Sequence, residues 1–203
     1  MKSEIVQPNI SNFIKSLRDI GYSFEIAVAD IVDNSITANA KNIEIQILPH
    51  PELSFELLDD GNGMSKDELI EAMRLASKNP DDKREKNDLG RFGLGLKTAS
   101  FSQCTNLIVI TKSNNSIFAR QWDLEHISYV NEWELLTPDQ DILEKLQLYE
   151  KLKNIESGTL VVWQNIDRYK CHEMAVTISE LGNHLALVFH RFLEARPGVG
   201  RLN

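Results

Sequence analysis

The stretch that most constrains this chain is residues 90–100, where three glycines in six residues run into an apolar, helix-compatible segment. Glycine has no side chain, so the backbone amides of such a loop can approach a ligand closely. A helix that begins after the loop points its unpaired N–H groups and its positive dipole end at that ligand. Lys97 adds a positive charge shortly beyond the glycines. The pattern predicts a phosphate-binding loop; the alternative is a helix preceded by a glycine-rich loop without a ligand.

This loop differs from the two commonest phosphate loops. A P-loop contains a Gly-Lys pair, whereas here Leu96 precedes Lys97. The dinucleotide fingerprint has its glycines in the order G-x-G-x-x-G directly after a strand. Residues 78–89 are instead charged and rich in turn-forming residues. The identity of the ligand must therefore be inferred from other parts of the chain.

Composition excludes several classes of protein. The 203-residue chain has 42% hydrophobic and 26% charged residues, as globular domains do. Its net charge of −8 argues against a broad nucleic-acid-binding surface. Cys104 and Cys171 are too few for a disulfide framework and lack metal-ligand spacing. With no secretory signal in residues 1–12 and no apolar run long enough to span a membrane, we expect a cytoplasmic location.

A helix predicted from Ser23, as N-cap, to about Ala38 is apolar almost all round, as in a buried helix. Asp30, Asn34 and Thr37 interrupt it at the spacing i, i+4, i+7, which places them on one face. A buried carboxylate without a partner is unfavourable. We therefore interpret this face as directed at a cation or water; the alternative is a solvated stripe on an amphipathic helix.

Two strands, at 43–48 and 53–57, alternate apolar and polar residues and predict an antiparallel hairpin. The second strand runs into Asp59-Asp60-Gly61-Asn62-Gly63-Met64. An acidic pair followed by two glycines indicates a tight turn at a strand end, where functional residues are often found. The alternative is a purely structural turn, because Asp-Gly and Asn-Gly form turns readily.

Periodicity and capping signals predict the remaining elements. The predicted helices are 11–20, 65 to about 76 with Ser65 and Glu68 as a capping box, 94–104, 138–153 and 173–194. The predicted strands are 107–110, 117–122, 127–136 and 159–163.

Four motifs in this order resemble the GHKL ATPase superfamily, named for gyrase, the ninety-kilodalton heat-shock chaperone, histidine kinases and MutL. Residues 30–35 resemble its N-box, residues 59–64 and 90–95 its two glycine boxes, and Gly158-Thr159 its Gly-Thr element. Within the superfamily, residues 90–100 look most like the MORC branch and its bacterial relatives.

The resemblance implies a Bergerat fold. This is an α+β two-layer sandwich with a mixed, mostly antiparallel sheet that carries helices on one face and leaves the other exposed or covered by a neighbour. Residues 1–203 would form one ATP-binding domain, with an N-terminal segment at 1–22 and an ATP lid at 77–95. The transducer domain that follows in related proteins would lie outside this chain.

The resemblance also implies ATP and Mg²⁺ as ligands. Asn34 would bind Mg²⁺, Asp59 would accept the adenine amino group with support from Thr159, and Lys97 would lie near the phosphates. Gly61, Gly63 and Met64 would shape the base pocket. The phosphates would be held by Gly90, Gly93 and Gly95, with Arg91, Phe92, Leu94 and Thr98 also at the nucleotide.

The candidate catalytic residues are Asp30 and Lys97, and Asp30 departs from the family pattern. Hydrolysing members usually carry Glu, as general base, four residues before the Asn. Aspartate is one methylene shorter, and base catalysis depends on reach to the attacking water. We therefore expect slow hydrolysis, or hydrolysis only in a rearranged dimer. Related proteins also contact the γ-phosphate with a lysine of the transducer domain, so the resemblance implies that the isolated chain binds nucleotide better than it hydrolyses it. Asp33 is interpreted as structural.

The function implied by the resemblance is an ATP-gated switch. Nucleotide would order the lid, two copies of the complete protein would dimerise, and hydrolysis would release them. DNA would be a partner only through domains outside this chain, by analogy with MORC and MutL, and no membrane association is expected. The alternative from another class is a non-hydrolysing nucleotide sensor or scaffold. A histidine kinase is disfavoured, because its N-box normally has Asn where this chain has Asp30.

Overall fold

The computed structural model describes residues 3–4, 6, 9–75, 95–169 and 174–193. Its five strands are β1 Ile43–Leu48, β2 Ser54–Asp59, β3 Cys104–Ser113, β4 Ser116–Asp123 and β5 Gly158–Ile166. They form one sheet in the order β1-β2-β5-β3-β4, and all four pairs of neighbouring strands are antiparallel. The helices described are α1 Ile10–Arg18, α2 Phe24–Thr37, α3 Lys66–Met73, α4 Gly95–Gln103, α5 Leu124–Val130, α6 Gln140–Leu143, α7 Tyr149–Asn154, α8 Met174–Val188 and α9 His190–Leu193.

Local signals account for the first elements of the chain. Ser23 accepts a hydrogen bond from the Ile26 amide and begins α2, as predicted. Ser65 and Glu68 form the predicted capping box of α3. The hairpin of β1 and β2 has the predicted antiparallel pairing. Capping and alternation are read over a few residues, so a sequence suffices to predict them.

The first face of the sheet carries the larger core. Because side chains alternate along a strand, every second residue of β2, β3 and β5 points to this face. The buried ones pack with the apolar sides of α1, α2, α4 and α8; from the strands they are Phe55, Leu57, Leu107, Val109, Val161 and Trp163. This is the helical layer expected of the α+β sandwich.

The second face of the sheet is covered by the chain itself, which differs from the expectation of an exposed face or one covered by a neighbour. Residues 142–155, including α7, bury it in a second core. A single helix was predicted for 138–153, but two short helices are found. The interruption lets the leucines on both sides of it reach the sheet; these are Leu143, Leu146, Leu148 and Leu152.

Two buried polar contacts attach this segment to the sheet. The carboxylate of Glu56, which is 2% exposed, accepts hydrogen bonds from the Gln147 and Leu148 amides at 3.0 and 2.8 Å. At the other end of α7, Lys112 Nζ donates to the carbonyls of Lys153 and Ile155 at 2.6 and 2.7 Å. Glu56 therefore satisfies two amides at the start of α7, and Lys112 satisfies carbonyls at its end.

We expect Glu56→Gln to destabilise the fold. The amide group would direct an N–H₂ at one of two backbone donors and leave that donor buried without a partner. Hydrogen bonds to charged groups contribute about 1.5–3 kcal/mol each, and a protein of this size loses roughly 2–4 °C per kcal/mol. Thermal unfolding should show a melting temperature lower by about 4–8 °C. Glu52→Gln, at an exposed position nearby, is the matched control; equal melting of both variants and wild type would contradict this role for Glu56.

The strand predicted for 127–136 is wrong. Asp123 accepts hydrogen bonds from the Glu125 and His126 amides at 3.0 Å and begins α5 instead. Asn131, in the left-handed conformation with φ of 57°, ends this helix. Only Leu136 pairs with the sheet, through a bridge to Gln121. Leu124 and Ile127 are buried three positions apart, which is the spacing of one face of a helix.

Across the described residues, no helix combines the length and the hydropathy that a membrane crossing requires.

Candidate functional site

The polar face of α2 lies at the edge of the larger core. Asp30 is half-buried and Asn34 is exposed, although their neighbours Val28, Ile31 and Val32 are buried. Asn34 Nδ2 donates to the backbone carbonyl of Asp30 at 2.8 Å. This hydrogen bond occupies the amide N–H₂ and leaves the side-chain carbonyl oxygen, Oδ1, as the group that can bind a cation.

Asp59 ends β2 and directs its side chain towards α2. It is 3% exposed, and its carboxylate accepts hydrogen bonds from the Gly61 amide and the Ser35 hydroxyl, both at 2.9 Å. Burial raises the pKa of Asp59 above its usual range, and these hydrogen bonds, together with the backbone of its pairing partner Thr159 on β5, partly offset the increase. A carboxylate has about four acceptor positions, so acceptor capacity remains for a ligand.

Asp60, the next residue, has a structural role. Its carboxylate accepts from the backbone amides of Lys41 and Asn42 at 2.7 and 2.8 Å and from Asn42 Nδ2 at 2.6 Å. Burial acts to raise the pKa of Asp60, but these donors outweigh it and hold the pKa below its usual value. Asp60 thus fixes the α2–β1 connection, while Asp59 faces the site.

The turn after Asp59 lies against β3 and β5. Gly63 has φ of +63°, and a Cβ on it would lie 2.0 Å from the Lys112 carbonyl oxygen. A Cβ on Gly61 would lie 2.9 Å from Asp59 Oδ1. Both glycines are therefore required for close approach as well as for the turn. The Met64 amide donates to Thr111 Oγ1 at 2.8 Å, which fixes the end of the turn on the sheet.

Thr111 and Ser35 are site residues that the sequence analysis did not identify. Thr111, fully buried, donates to the Gly158 carbonyl at 3.1 Å and lies 3.4 Å from the Thr159 hydroxyl. Ser35, on α2, orients Asp59 by donating a hydrogen bond to its Oδ2. Ser35 could have been identified from the sequence because it is adjacent to Asn34 in the N-box. Thr111 could not, because the alternation of its strand predicts only that its hydroxyl is buried.

The start of α4 lies beside the polar face of α2. A Cβ on Gly95 would lie 3.9 Å from Asp30 Oδ2. The structure therefore brings the end of the glycine-rich stretch next to the candidate base. The rest of the predicted cradle lies outside the described residues, as does the predicted lid apart from Gly95; the cradle residues concerned are Gly90, Arg91, Phe92, Gly93 and Leu94.

Lys97 and Thr98 follow in the first turn of α4, and both are buried. Lys97 Nζ donates to the carbonyl of Ala72, near the end of α3, at 2.8 Å. In this structure its charge is therefore engaged at α3, which does not by itself support the predicted catalytic role. The Thr98 hydroxyl donates to the Gly95 carbonyl at 3.4 Å, within the same turn of α4.

Two aspartates of α2, Asp30 and Asp33, are less acidic than usual. Burial raises the pKa of Asp30, and the hydrogen bond from Tyr22 partly offsets this. Burial, and then the negative charge of Asp30, raises the pKa of Asp33. No cluster of three or more His, Cys, Asp or Glu that could hold a metal is found in the described part of the chain. A cation there would consequently depend on few protein ligands.

These features define a class of protein. A helical layer covers one face of an antiparallel sheet. A buried carboxylate and a glycine turn lie beside α2, and the Asp–Asn face of α2 lies next to the start of α4. This is the Bergerat form of an α+β ATP-binding domain. Residues 22–159 match the sequence profile of the "Histidine kinase-, DNA gyrase B-, and HSP90-like ATPase" family, and the chain belongs to this family.

Three relatives locate the chain within the superfamily. It is 32% identical to ATPase morc-1 of Caenorhabditis elegans over 109 residues, 53% of this chain and 12% of that protein. It is 32% identical to ATPase MORC2B of Mus musculus over 95 residues, 45% of this chain and 9% of that protein. A match at 24% identity over 102 residues, covering 49% of this chain and 10% of the relative, is to Mismatch repair endonuclease pms1 of Dictyostelium discoideum. The match with MORC ATPases and a MutL-type protein confirms the predicted superfamily and the MORC-like character of the chain. The chain covers only about a tenth of the length of these relatives.

Proposed function

We propose that this chain binds ATP with Mg²⁺, hydrolyses the nucleotide slowly, and acts as a nucleotide-gated dimerisation switch within a larger protein. The observation that carries the proposal is Asp59: a buried carboxylate at a strand end, held by two hydrogen-bond donors, with acceptor capacity left over. Its place between α2 and a turn with two glycines in close contact suits a flat base with an amino group.

Binding follows from this geometry. Asp59 accepts the adenine amino group, and Thr159 lies beside it on β5. Gly61, Gly63 and Met64 line the turn next to the base. The phosphates extend towards the start of α4, where Gly95 lies next to Asp30 and the helix dipole favours negative charge.

The residues present fit a Mg²⁺ ion. Asn34 offers Oδ1 as a ligand because its Nδ2 is held by the Asp30 carbonyl. Mg²⁺ prefers oxygen ligands and is commonly held by one or two protein groups together with substrate phosphates and water. When bound, the ion neutralises charge on the phosphates.

Hydrolysis is assigned to Asp30. Its carboxylate would take a proton from water as the water oxygen attacks the γ-phosphorus, and the bond to the β–γ bridging oxygen would break to release ADP. The raised pKa makes Asp30 a stronger base than an ordinary aspartate, while its short side chain limits its reach. The second candidate, a non-hydrolysing sensor, is supported by that short side chain.

The biological setting is proposed only in outline. One relative is named a mismatch repair endonuclease and two are named MORC ATPases. We propose that any DNA contact of the complete protein lies outside this chain, whose net charge is −8.

Calorimetric titration with a non-hydrolysable ATP analogue tests the proposal. We expect 1:1 binding that Mg²⁺ tightens by about tenfold or more. A light-scattering measurement on the full-length protein with the same analogue should show a nucleotide-dependent dimer. Phosphate release from ATP distinguishes the switch from the sensor. Absence of binding by the full-length protein would overturn the nucleotide site.

A further inference from the structure

Three polar side chains form a row across the sheet at one end of the larger core. Asp59 on β2 pairs with Thr159 on β5, and Thr159 pairs on its other side with Thr111 on β3. Residues directly opposite each other on neighbouring strands point to the same face of a sheet. The three side chains therefore share the face that packs against α2, and their exposed fractions are 3%, 8% and 0% in that order. Polar groups this deeply buried need hydrogen-bond partners.

The Thr111 hydroxyl joins the turn after Asp59 to the start of β5. It accepts a hydrogen bond from the Met64 amide at 2.8 Å and donates one to the Gly158 carbonyl at 3.1 Å. The hydroxyl of Thr159 lies 3.4 Å from it. A hydroxyl has one proton to donate and two lone pairs that accept. Because Thr111 directs its proton at Gly158, Thr159 is the donor in the contact between the two threonines.

This assignment determines what Thr159 can offer to a ligand. Its proton points to Thr111, and its oxygen keeps acceptor capacity. The neighbouring Asp59 carboxylate is also an acceptor. A ligand that lies against both residues must supply donors to both. An exocyclic amino group has two N–H bonds to donate, whereas a carbonyl group in the same position has none.

We propose that Thr111 is a positioning residue that fixes Thr159 as a hydrogen-bond acceptor and thereby makes the site select a 6-amino purine over a 6-oxo purine. The inference rests on the proposed function, in which the base lies against Asp59. Without the Thr111 hydroxyl, the Thr159 hydroxyl can rotate and donate to a 6-oxo group. Selectivity then depends on Thr111, which lies one strand further from Asp59 than Thr159 does.

Other contacts hold the pocket in place when the Thr111 hydroxyl is removed. Ser157 Oγ donates to the Gly61 carbonyl at 2.7 Å and attaches the turn to the chain before β5 at a second point. Asp59 keeps its hydrogen bonds from Ser35 and from the Gly61 amide. Loss of the Thr111 hydroxyl should therefore change the choice of base more than it changes the shape of the pocket.

The test is Thr111→Val in the full-length protein, with ATP and inosine triphosphate (ITP) each competing against a non-hydrolysable ATP analogue. We expect the ratio of the Kd for ITP to the Kd for ATP to fall about fivefold, the effect of one hydrogen bond between neutral groups. Thr111→Ser keeps the hydroxyl and should keep the wild-type ratio. Thr105→Val is the matched control, because it removes a threonine hydroxyl from the same strand about 20 Å away. A purely structural role would weaken both nucleotides equally and leave the ratio unchanged.

Thr159→Val tests the direction of the hydrogen bond and does not depend on the folding of Thr111→Val. If Thr159 is an acceptor, its loss weakens ATP more than ITP and lowers the ratio. If Thr159 donates into the pocket, its loss weakens ITP more and raises the ratio. In the Thr159→Val background, Thr111→Val should change the ratio by less than about twofold, because Thr111 acts through Thr159.

The outcomes separate the inference from the proposed function. If wild type binds neither ATP nor ITP, the nucleotide site fails and the role of Thr111 fails with it. If wild type binds ATP but Thr111→Val gives the same ratio as Thr105→Val, the inference is wrong while the site stands. The same holds if Thr159→Val raises the ratio, or if wild type binds ATP and ITP equally.

Discussion

Asp59→Asn should abolish or severely weaken nucleotide binding while the domain stays folded. The Gly61 amide is a fixed donor to Oδ1, so the side-chain oxygen of Asn must remain there and its N–H₂ must take the place of Oδ2. The Ser35 hydroxyl, now a donor to Oδ2, can rotate and accept from that N–H₂. The adenine amino group, in contrast, loses a charged acceptor. A hydrogen bond to a charged group contributes about 1.5–3 kcal/mol, which is about 10- to 100-fold in affinity. Titration with the ATP analogue measures this loss.

Asp60→Asn is the matched control for this experiment. It changes the neighbouring carboxylate in the same way, but Asp60 holds only the α2–β1 connection. We expect Asp60→Asn to lower the melting temperature and to leave the affinity within about twofold of wild type. If the two variants lost affinity equally, the effect would come from a loosened turn and the assignment of Asp59 would be wrong.

Asp30→Asn should remove ATP turnover and keep ATP binding. The amide cannot take a proton from water, and general-base catalysis typically contributes about 10²–10⁴-fold. We therefore expect kcat to fall by at least about 10²-fold in the full-length protein. Because the pKa of Asp30 is raised by burial, its charged form disfavours the folded state. This penalty is absent below the unfolded pKa and reaches its full size above the folded pKa. Asp30→Asn removes the charge and should melt no lower than wild type at neutral pH.

Asp33→Asn distinguishes the base from its neighbour. Asp33 is also half-buried on α2, and its pKa is also raised, first by burial and then by the charge of Asp30. Its removal changes local charge by the same amount as removal of Asp30. Turnover should stay within about threefold of wild type if only Asp30 activates water. An Asp30→Asn protein that turns over as wild type does, or an Asp33→Asn protein that does not, would overturn the assignment.

The site motifs were predictable because each is short and depends on residue types with specific uses. Asp30 and Asn34 share a helix face through their spacing, and Asp59 ends a strand whose alternation is clear. The residues that hold these groups in place were not predictable. Ser35 reaches Asp59 across 24 positions and Thr111 reaches Gly158 across 47. A serine or threonine carries no spacing signal for such contacts, because tertiary packing alone decides them.

The errors in the predicted fold also depend on which signals are local and which are tertiary contacts. Residues 124–130 form a helix because Asp123 caps it, although the apolar spacing also suits a strand. The break between α6 and α7 depends on Glu56, which lies about ninety positions earlier in the chain. The burial of the second face by the chain itself follows from that contact. The first error concerns an ambiguous apolar pattern that an adjacent cap decided, and the second concerns a helix that a distant side chain interrupts.

The register of β2 decides which of two adjacent aspartates, Asp59 or Asp60, faces the nucleotide pocket. Side chains alternate along a strand, so a slip of β2 by one position would turn the Asp59 side chain away from α2. Asp60 could take its place only by giving up the α2–β1 connection that it holds. The pairing of β2 with β1 and β5 thus determines which side chain faces the site. An insertion or deletion in the β1–β2 turn that shifts this register would remove nucleotide recognition without altering any residue that contacts the nucleotide.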